Sequence, residues 1–142
     1  MTAMFHLSIP VSDLELAREF YTALLGCSLG RVSEKRLDID FFGHHVVAHL
    51  AAREPLQTVA RFESAGAAVS VRHFGAIVDA ERWHAIVAKL RAADIEFSMA
   101  PQVIRADTIE EQHIVMMPDG CGNIVELKSI ASDRVFATQA SA

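Results

Sequence analysis

The residues best suited to chemistry are one glutamate and three histidines that lie in apolar, strand-like segments. Glu126 lies in the segment CGNIVELK at residues 121–128, where it alternates with Val125 and Leu127. Successive side chains of a strand point to opposite faces, so Glu126 faces away from the side that enters the core. An ionised carboxylate in a half-enclosed space needs a positive partner. The alternative is that Glu126 lies on the solvent-facing side of an antiparallel strand, where its charge costs nothing.

Histidines occupy matching places in three other apolar segments, at His6, His49 and His73. Three imidazoles and one carboxylate make a ligand set for a divalent ion, and this set suits zinc, iron, nickel, manganese or cobalt without selecting one. We therefore predict a metal site formed by these histidines and Glu126. His45 shares the strand parity of His49 and is a further candidate for the cavity wall.

The first half of the chain predicts a βαβββ unit over residues 1–52. Alternating apolar residues over 4–11 predict a strand, and Ser12 with Glu15 predicts a capping box that begins a helix ending at Gly26. Extended segments follow at residues 27–31, 37–42 and 45–51, and Gly43 with His44 predicts the turn between the last two.

The second half repeats this order. Residues 53–70 are interpreted as a linker with a helical turn near residues 56–62, and residues 71–131 as a second module whose helix begins at Asp79. Strands are predicted at 71–78, 97–99, 112–117 and 123–130, a loop at 101–108, and a frayed tail at 132–142. The fold class is α+β, with two βαβββ modules forming an open, curved eight-stranded sheet around a metal-lined cavity.

Composition limits the partners. The chain has 142 residues, 51% of them hydrophobic, and a formal net charge of −5 with scattered basic residues, which argues against nucleic acid and anionic membrane surfaces. No apolar run reaches the roughly 20 residues that span a bilayer, and the first residues do not resemble a signal peptide, so we expect a cytoplasmic protein. Cys27 and Cys121 are expected to be packing thiols.

Several segments carry a likeness to a known family: HLSIPVSDL at 6–14, REFY at 18–21, LG at 25–26, HF at 73–74, VD at 78–79 and DGCGNIVEL at 119–127. With them, the chain resembles the vicinal oxygen chelate superfamily, which includes glyoxalase I, extradiol ring-cleaving dioxygenases, fosfomycin-resistance transferases and metal-free bleomycin-binding proteins. The family's last turn is usually Asp-Pro-x-Gly-Asn-x-x-Glu-Leu. Here Gly120 replaces that proline and Pro118 precedes Asp119, while the spacing from Gly122 to Glu126 is kept.

The resemblance implies metal ligands at His6, His73 and Glu126, and places His49 at the family's fourth position, which is often a glutamate in glyoxalase I. Two histidines and one carboxylate also resemble the iron sites of ring-cleaving dioxygenases, in which the fourth position is not a ligand; His49 is then an acid–base group or a substrate contact. The implied protein is a divalent-metal-dependent enzyme that chelates vicinal oxygens of a small organic substrate.

The resemblance favours dioxygenase-type chemistry over glyoxalase-type lyase or isomerase chemistry. The glyoxalase I reaction uses a glutamate at each of the two strand-end ligand positions, and here Glu126 occupies one of them while His49 occupies the other. A non-catalytic protein that binds a small molecule or drug is the other alternative. Open sheet edges need cover, which predicts a homodimer. Whether the site lies within one chain or across the dimer interface stays open.

Overall fold

The first half of the molecule is a βαβββ module. In the computed structural model, residues 3–52, 60–64, 66–131 and 134–136 are described. The elements of this module are β1 (His6–Val11), helix α1 (Leu14–Arg18), which continues as a π-helical segment (Glu19–Leu24), β2 (Ser28–Ser33), β3 (Arg36–Phe41) and β4 (His44–Leu50).

A hairpin and a second βαβββ module follow. The elements are β5 (Arg61–Ser64) and β6 (Ala67–Ser70) in the hairpin, then β7 (Phe74–Ile77), helix α2 (Ala80–Ala92), β8 (Met99–Ile104), β9 (Gln112–Pro118) and β10 (Ile124–Ser129). The predicted α+β class and the two βαβββ modules are confirmed.

The two modules have the same sheet topology. Their strand orders are β1-β4-β3-β2 and β7-β10-β9-β8, and in each the first strand runs parallel to the last. Within the described residues, the eight strands are hydrogen-bonded as two four-stranded sheets and not as one continuous sheet. The strands β1 and β7 are therefore equivalent edge strands.

One face of each sheet packs against the helices in a shared core. Ile9 and Val11 of β1, Trp83 of α2, and Val125 and Leu127 of β10 belong to one buried cluster. Because strand side chains alternate, the intervening residues of β1, β4, β7 and β10 lie on the opposite face. We call this the open face of each sheet.

A buried carboxylate joins the two modules. Asp119 is 2% exposed, and its Oδ2 accepts a hydrogen bond from the Tyr21 hydroxyl at 2.9 Å and one from Asn123 Nδ2 at 2.8 Å. Asn123 Nδ2 also donates to the Pro10 carbonyl at 2.9 Å. Burial and the neighbouring Asp119 raise the pKa of Tyr21 well above its usual value, so the phenol stays a donor. The turn before β10 is thereby held against the end of β1.

Two local details differ from the predictions. The N-cap of α1 is Asp13 and not Ser12, because Asp13 Oδ1 accepts from the backbone N–H of Glu15 and of Leu16. The turn after β3 consists of Phe42 and Gly43, both with positive φ, as a two-residue hairpin of this kind requires.

The segment between the modules contains the β5–β6 hairpin, which the sequence analysis did not predict. Residues 61 and 62 of the predicted helical turn lie in β5, and residues 56–59 lie outside the described residues. Strand β8 continues through Pro101 to Ile104, where a loop was predicted, because an edge strand tolerates a proline whose missing N–H faces outward. Of the predicted tail, residues 134–136 are described.

Candidate metal site

The second module brings His73 and Glu126 together. The Nδ1 of His73, which directly precedes β7, lies 2.8 Å from the carbonyl oxygen of Ser70. A carbonyl only accepts hydrogen bonds, so Nδ1 carries a hydrogen, and Nε2 is the ring nitrogen left to face Glu126 or to bind a metal ion. That Nε2 is 3.3 Å from Glu126 Oε2. Two donor atoms of metal-ligand type therefore converge at one point on the open face.

Glu126 is placed there by the alternation of β10. Its neighbours Val125 and Leu127 are fully buried in the core, while its own side chain is 15% exposed on the opposite face. The ammonium of Lys128 lies 3.5 Å from Oε2 and offsets part of its charge. Gly75 pairs directly with Glu126 across the β7–β10 ladder, and a Cβ at Gly75 would overlap the backbone carbonyl of Glu126. Glycine therefore permits the close approach of the two strands at this point.

Strand β6 of the hairpin packs on part of this open face. Val69 of β6 packs in a second buried cluster with Met99, Ile114 and Met116, and Ile124 packs against that cluster. Both Ile124 and Met116 border Glu126 on the open face. Ile124 lies two residues before Glu126 in β10, and Met116 is its register partner in β9. The carboxylate therefore lies beside apolar side chains, which limit its contact with water.

The first module pairs His6 with His45. These residues are register partners in the parallel β1–β4 ladder, and their Nδ1 atoms are 2.9 Å apart. The rings are stacked, with centroids 4.8 Å apart. His45 Nε2 lies 3.7 Å from Asp38 Oδ2. His45 therefore has His6 beside one ring nitrogen and a carboxylate beside the other.

Asp38 is 7% exposed although it is charged. Its Oδ1 accepts from Arg36 Nε at 2.9 Å and also contacts Arg36 Nη2, and Arg31 Nε lies 3.6 Å from Oδ2. The hydrogen bond from Arg36 holds the pKa of Asp38 below its usual value. A cavity of about 300 Å³ adjoins this group, and its lining includes Met4, Asp38, Ile39, Asp40, His44 and His45.

His49 lies at the other end of β4. Its register partners are Pro10 and Arg36. It lies four positions after His45, which corresponds to about 13 Å of strand. The structure therefore brings His45, and not His49, beside His6. The sequence pattern favoured His49 over His45 as a ligand and gave no signal for Asp38.

The two pairs of residues stay apart within the chain. Among residues 3–52, 60–64, 66–131 and 134–136, no three or more His, Cys, Asp or Glu side chains are grouped closely enough to hold a metal ion. His6 is therefore not near His73 and Glu126 in a single chain. We call His6 with His45 the first half-site, and His73 with Glu126 the second half-site.

Residues 3–127 match the sequence model of the Glyoxalase/Bleomycin resistance protein/Dioxygenase superfamily. The chain belongs to this superfamily. No curated protein matches it. No helix in the described part of the chain is long and apolar enough to cross a membrane.

Solved structures of the superfamily share the fold. A protein of Alicyclobacillus acidocaldarius described as glyoxalase/bleomycin resistance protein/dioxygenase is 29% identical, with a TM-score of 0.71 over 96% of this chain and 97% of that one. The fosfomycin resistance protein FosX from Listeria monocytogenes is 12% identical, with a TM-score of 0.65 over 94% and 97% of the chains. A lactoylglutathione lyase from Agrobacterium tumefaciens is 16% identical, with a TM-score of 0.61 over 91% and 94%.

Members of the glyoxalase superfamily typically use a divalent metal, and the second half-site fits such an ion. The Ser70 carbonyl fixes the hydrogen of His73 on Nδ1, as hydrogen bonds do for histidines that bind metals through the other nitrogen. The 3.3 Å separation of His73 Nε2 and Glu126 Oε2 matches two ligands of one ion at metal–ligand distances of about 2.0–2.2 Å.

Proposed function

We propose that the protein is a divalent-metal-dependent enzyme that binds two adjacent oxygens of a small organic substrate, with His6, His73 and Glu126 as the metal ligands. The observation that carries the proposal is the convergence of His73 Nε2 and Glu126 Oε2, with the tautomer of His73 fixed by the Ser70 carbonyl. When bound, the ion supplies Lewis acidity and a template for the substrate. Imidazole and carboxylate donors suit iron, zinc, nickel, manganese or cobalt.

We further propose that a complete site forms across a two-fold dimer. The half-sites lie at β1 and β7, which are the equivalent edge strands of the two sheets. Large apolar side chains are exposed at both edges, with Phe5 at 58% and Ile77 at 48%, and unpaired edges of this kind favour association. Pairing these edges would bring His6 of one protomer to His73 and Glu126 of its partner.

The donor set favours oxygenase chemistry over lyase or isomerase chemistry. A glyoxalase-type proton transfer needs a second carboxylate at the metal, and the first half-site instead places the imidazole of His45 beside His6. Its nearest carboxylate, Asp38, is engaged by Arg36. Two histidines and one glutamate, with a neighbouring imidazole, support ring-cleaving or related dioxygenase chemistry. A role for His49 as an acid–base group stays a prediction.

The cavity beside His45 supports a small organic substrate. Its volume of about 300 Å³ lies at the lower end of the range for small-molecule sites. Asp40 and His44 supply polar groups in its wall, and Met4 supplies apolar contact. A compact ring with two adjacent hydroxyl groups fits this combination of size and lining.

Metal analysis of Glu126→Gln tests the ligand set. Protein purified without added metal is expected to carry about one ion per chain, and Glu126→Gln is expected to lose most of it, because the amide removes an anionic ligand. Glu96→Gln changes an exposed glutamate in the same way and should keep its metal. Full metal content in Glu126→Gln would sink the proposed site.

Two assays separate the reactions. Protein reconstituted anaerobically with ferrous iron is expected to consume oxygen when catechols and air are admitted. Turnover of a glutathione hemithioacetal with nickel or zinc, without oxygen uptake on catechols, would place lyase chemistry first. Ligand binding without turnover in either assay would favour a binding protein.

A further inference from the structure

In the first half-site, His6 contacts His45, and His45 in turn lies beside the buried carboxylate of Asp38. His6 Nδ1 lies 2.9 Å from His45 Nδ1, and His45 Nε2 lies 3.7 Å from Asp38 Oδ2. A hydrogen bond between two ring nitrogens requires that one carries the hydrogen and the other offers a lone pair. The tautomer of His45 therefore decides the tautomer of His6.

The charge of Asp38 biases the tautomer of His45 electrostatically, because its Oδ2 lies 3.7 Å from His45 Nε2, beyond hydrogen-bond distance. Arg36 and Arg31 hold this carboxylate on the open face of the first sheet, through contacts of 2.9 Å and 3.6 Å from their Nε atoms. An anion favours an N–H group over a lone pair at its side, so the hydrogen of neutral His45 belongs on Nε2. The Nδ1 of His45 is then an acceptor, and His6 must donate from its own Nδ1.

We propose that His45 and Asp38 are positioning residues, which hold His6 in the tautomer whose hydrogen is on Nδ1 and whose Nε2 lone pair is free to bind a cation. The binding of a metal ion by this lone pair rests on the proposed function. The stacking of the two rings, with an interplanar angle of 29°, also restricts the orientation of His6. The arrangement reproduces in the first half-site what the Ser70 carbonyl does for His73 in the second.

The tautomer can be measured without any metal. Long-range ¹⁵N–¹H correlation NMR of the metal-free protein is expected to show the hydrogen of His6 on Nδ1 and that of His45 on Nε2. His45→Phe keeps a ring for stacking but removes the acceptor, so His6 should shift towards the opposite tautomer. His45→Asn keeps an acceptor oxygen near the place of Nδ1 and should preserve the wild-type tautomer of His6. His84→Phe replaces a histidine on α2 and serves as the control.

Metal affinity gives the second readout. His45→Phe is expected to weaken binding about 10- to 100-fold, the usual effect of removing a hydrogen-bond partner behind a ligand, and His84→Phe should leave it unchanged. A hydrogen on Nε2 of His6 in the wild type, or an unchanged tautomer or affinity in His45→Phe, would overturn the inference. A metal-induced shift of His45 Nδ1 as large as that of a ligand nitrogen would also overturn it. If the wild type shows the expected tautomers but binds no metal, the positioning stands and the proposed function fails.

Discussion

Burial suppresses the chemistry of the two cysteines, Cys27 and Cys121, which are free and buried. Loss of hydration raises the pKa of Cys27 from 9.0 to about 11 and also raises the pKa of Cys121. The thiolate is the nucleophile, so at pH 8 Cys27 should react roughly 100-fold more slowly than a thiol of ordinary pKa.

Iodoacetamide labelling of the folded protein, followed by mass spectrometry, checks this. The sign of the pKa shift requires the rate to keep rising through pH 9 and 10 instead of levelling off near pH 9. The same protein unfolded in guanidinium chloride provides the reference. Equal labelling of folded and unfolded protein at pH 8 would contradict the account.

The residues of the candidate site were predictable to different degrees. His6 and Glu126 could be proposed as ligands because each lies on the side of a strand opposite its buried apolar residues, and that alternation is a local pattern. The choice between His45 and His49 could not be made in this way, because both have the same parity on β4. It depends on the β1–β4 register, which is set by pairing between distant segments. The position of Asp38 beside His45 depends on the β3–β4 register.

Gly75 is the element-scale feature that positions Glu126. Gly75→Ala is expected to destabilise the fold by about 1–3 kcal/mol, the usual cost of forcing an added methyl group into a packed site, because the Cβ would overlap the Glu126 carbonyl. It should also lower metal occupancy, since β7 and β10 must separate beside Glu126.

Gly30→Ala is the matched control. A Cβ at Gly30 would lie 3.5 Å from Asp38 Cβ, which is an ordinary contact, so this change should alter stability by less than about 1 kcal/mol. Urea unfolding of both variants gives the stability comparison, and metal analysis compares Gly75→Ala with the wild type. Equal stability of Gly75→Ala and the wild type would show that the two strands tolerate a wider spacing.

At the scale of elements, strong local signals predicted most of the fold. The helices, the two βαβββ orders and the Asp79 cap followed from apolar spacing and capping residues. The β5–β6 hairpin was missed because its strands are only four residues each, RFES and AAVS, which is too short for a sustained alternation. It is held in place by the packing of Val69 on the open face of the second sheet. That packing involves residues far apart in the chain and leaves little local pattern.

At the scale of the whole molecule, the internal repeat explains why the two half-sites are equivalent in place but differ in chemistry. Each half-site lies at the junction of the first and last strands of its module, so repetition of the topology repeats the location. The side chains have diverged, with a histidine pair in one module and a histidine–glutamate pair in the other. Neither pair alone supplies three ligands, which is why the account requires a dimer.

The metal content of a mixed dimer tests this central claim most directly. His6→Ala and Glu126→Gln protomers, carrying different affinity tags, are co-expressed and their heterodimer is isolated by two successive affinity steps. If each metal site is shared between protomers, one of the two sites in the heterodimer lacks both His6 and Glu126, and the other site keeps both. The account predicts one metal ion per heterodimer and little metal in either mutant homodimer. A heterodimer as poor in metal as the two homodimers, or a wild-type protein that is monomeric and fully loaded with metal, would contradict it.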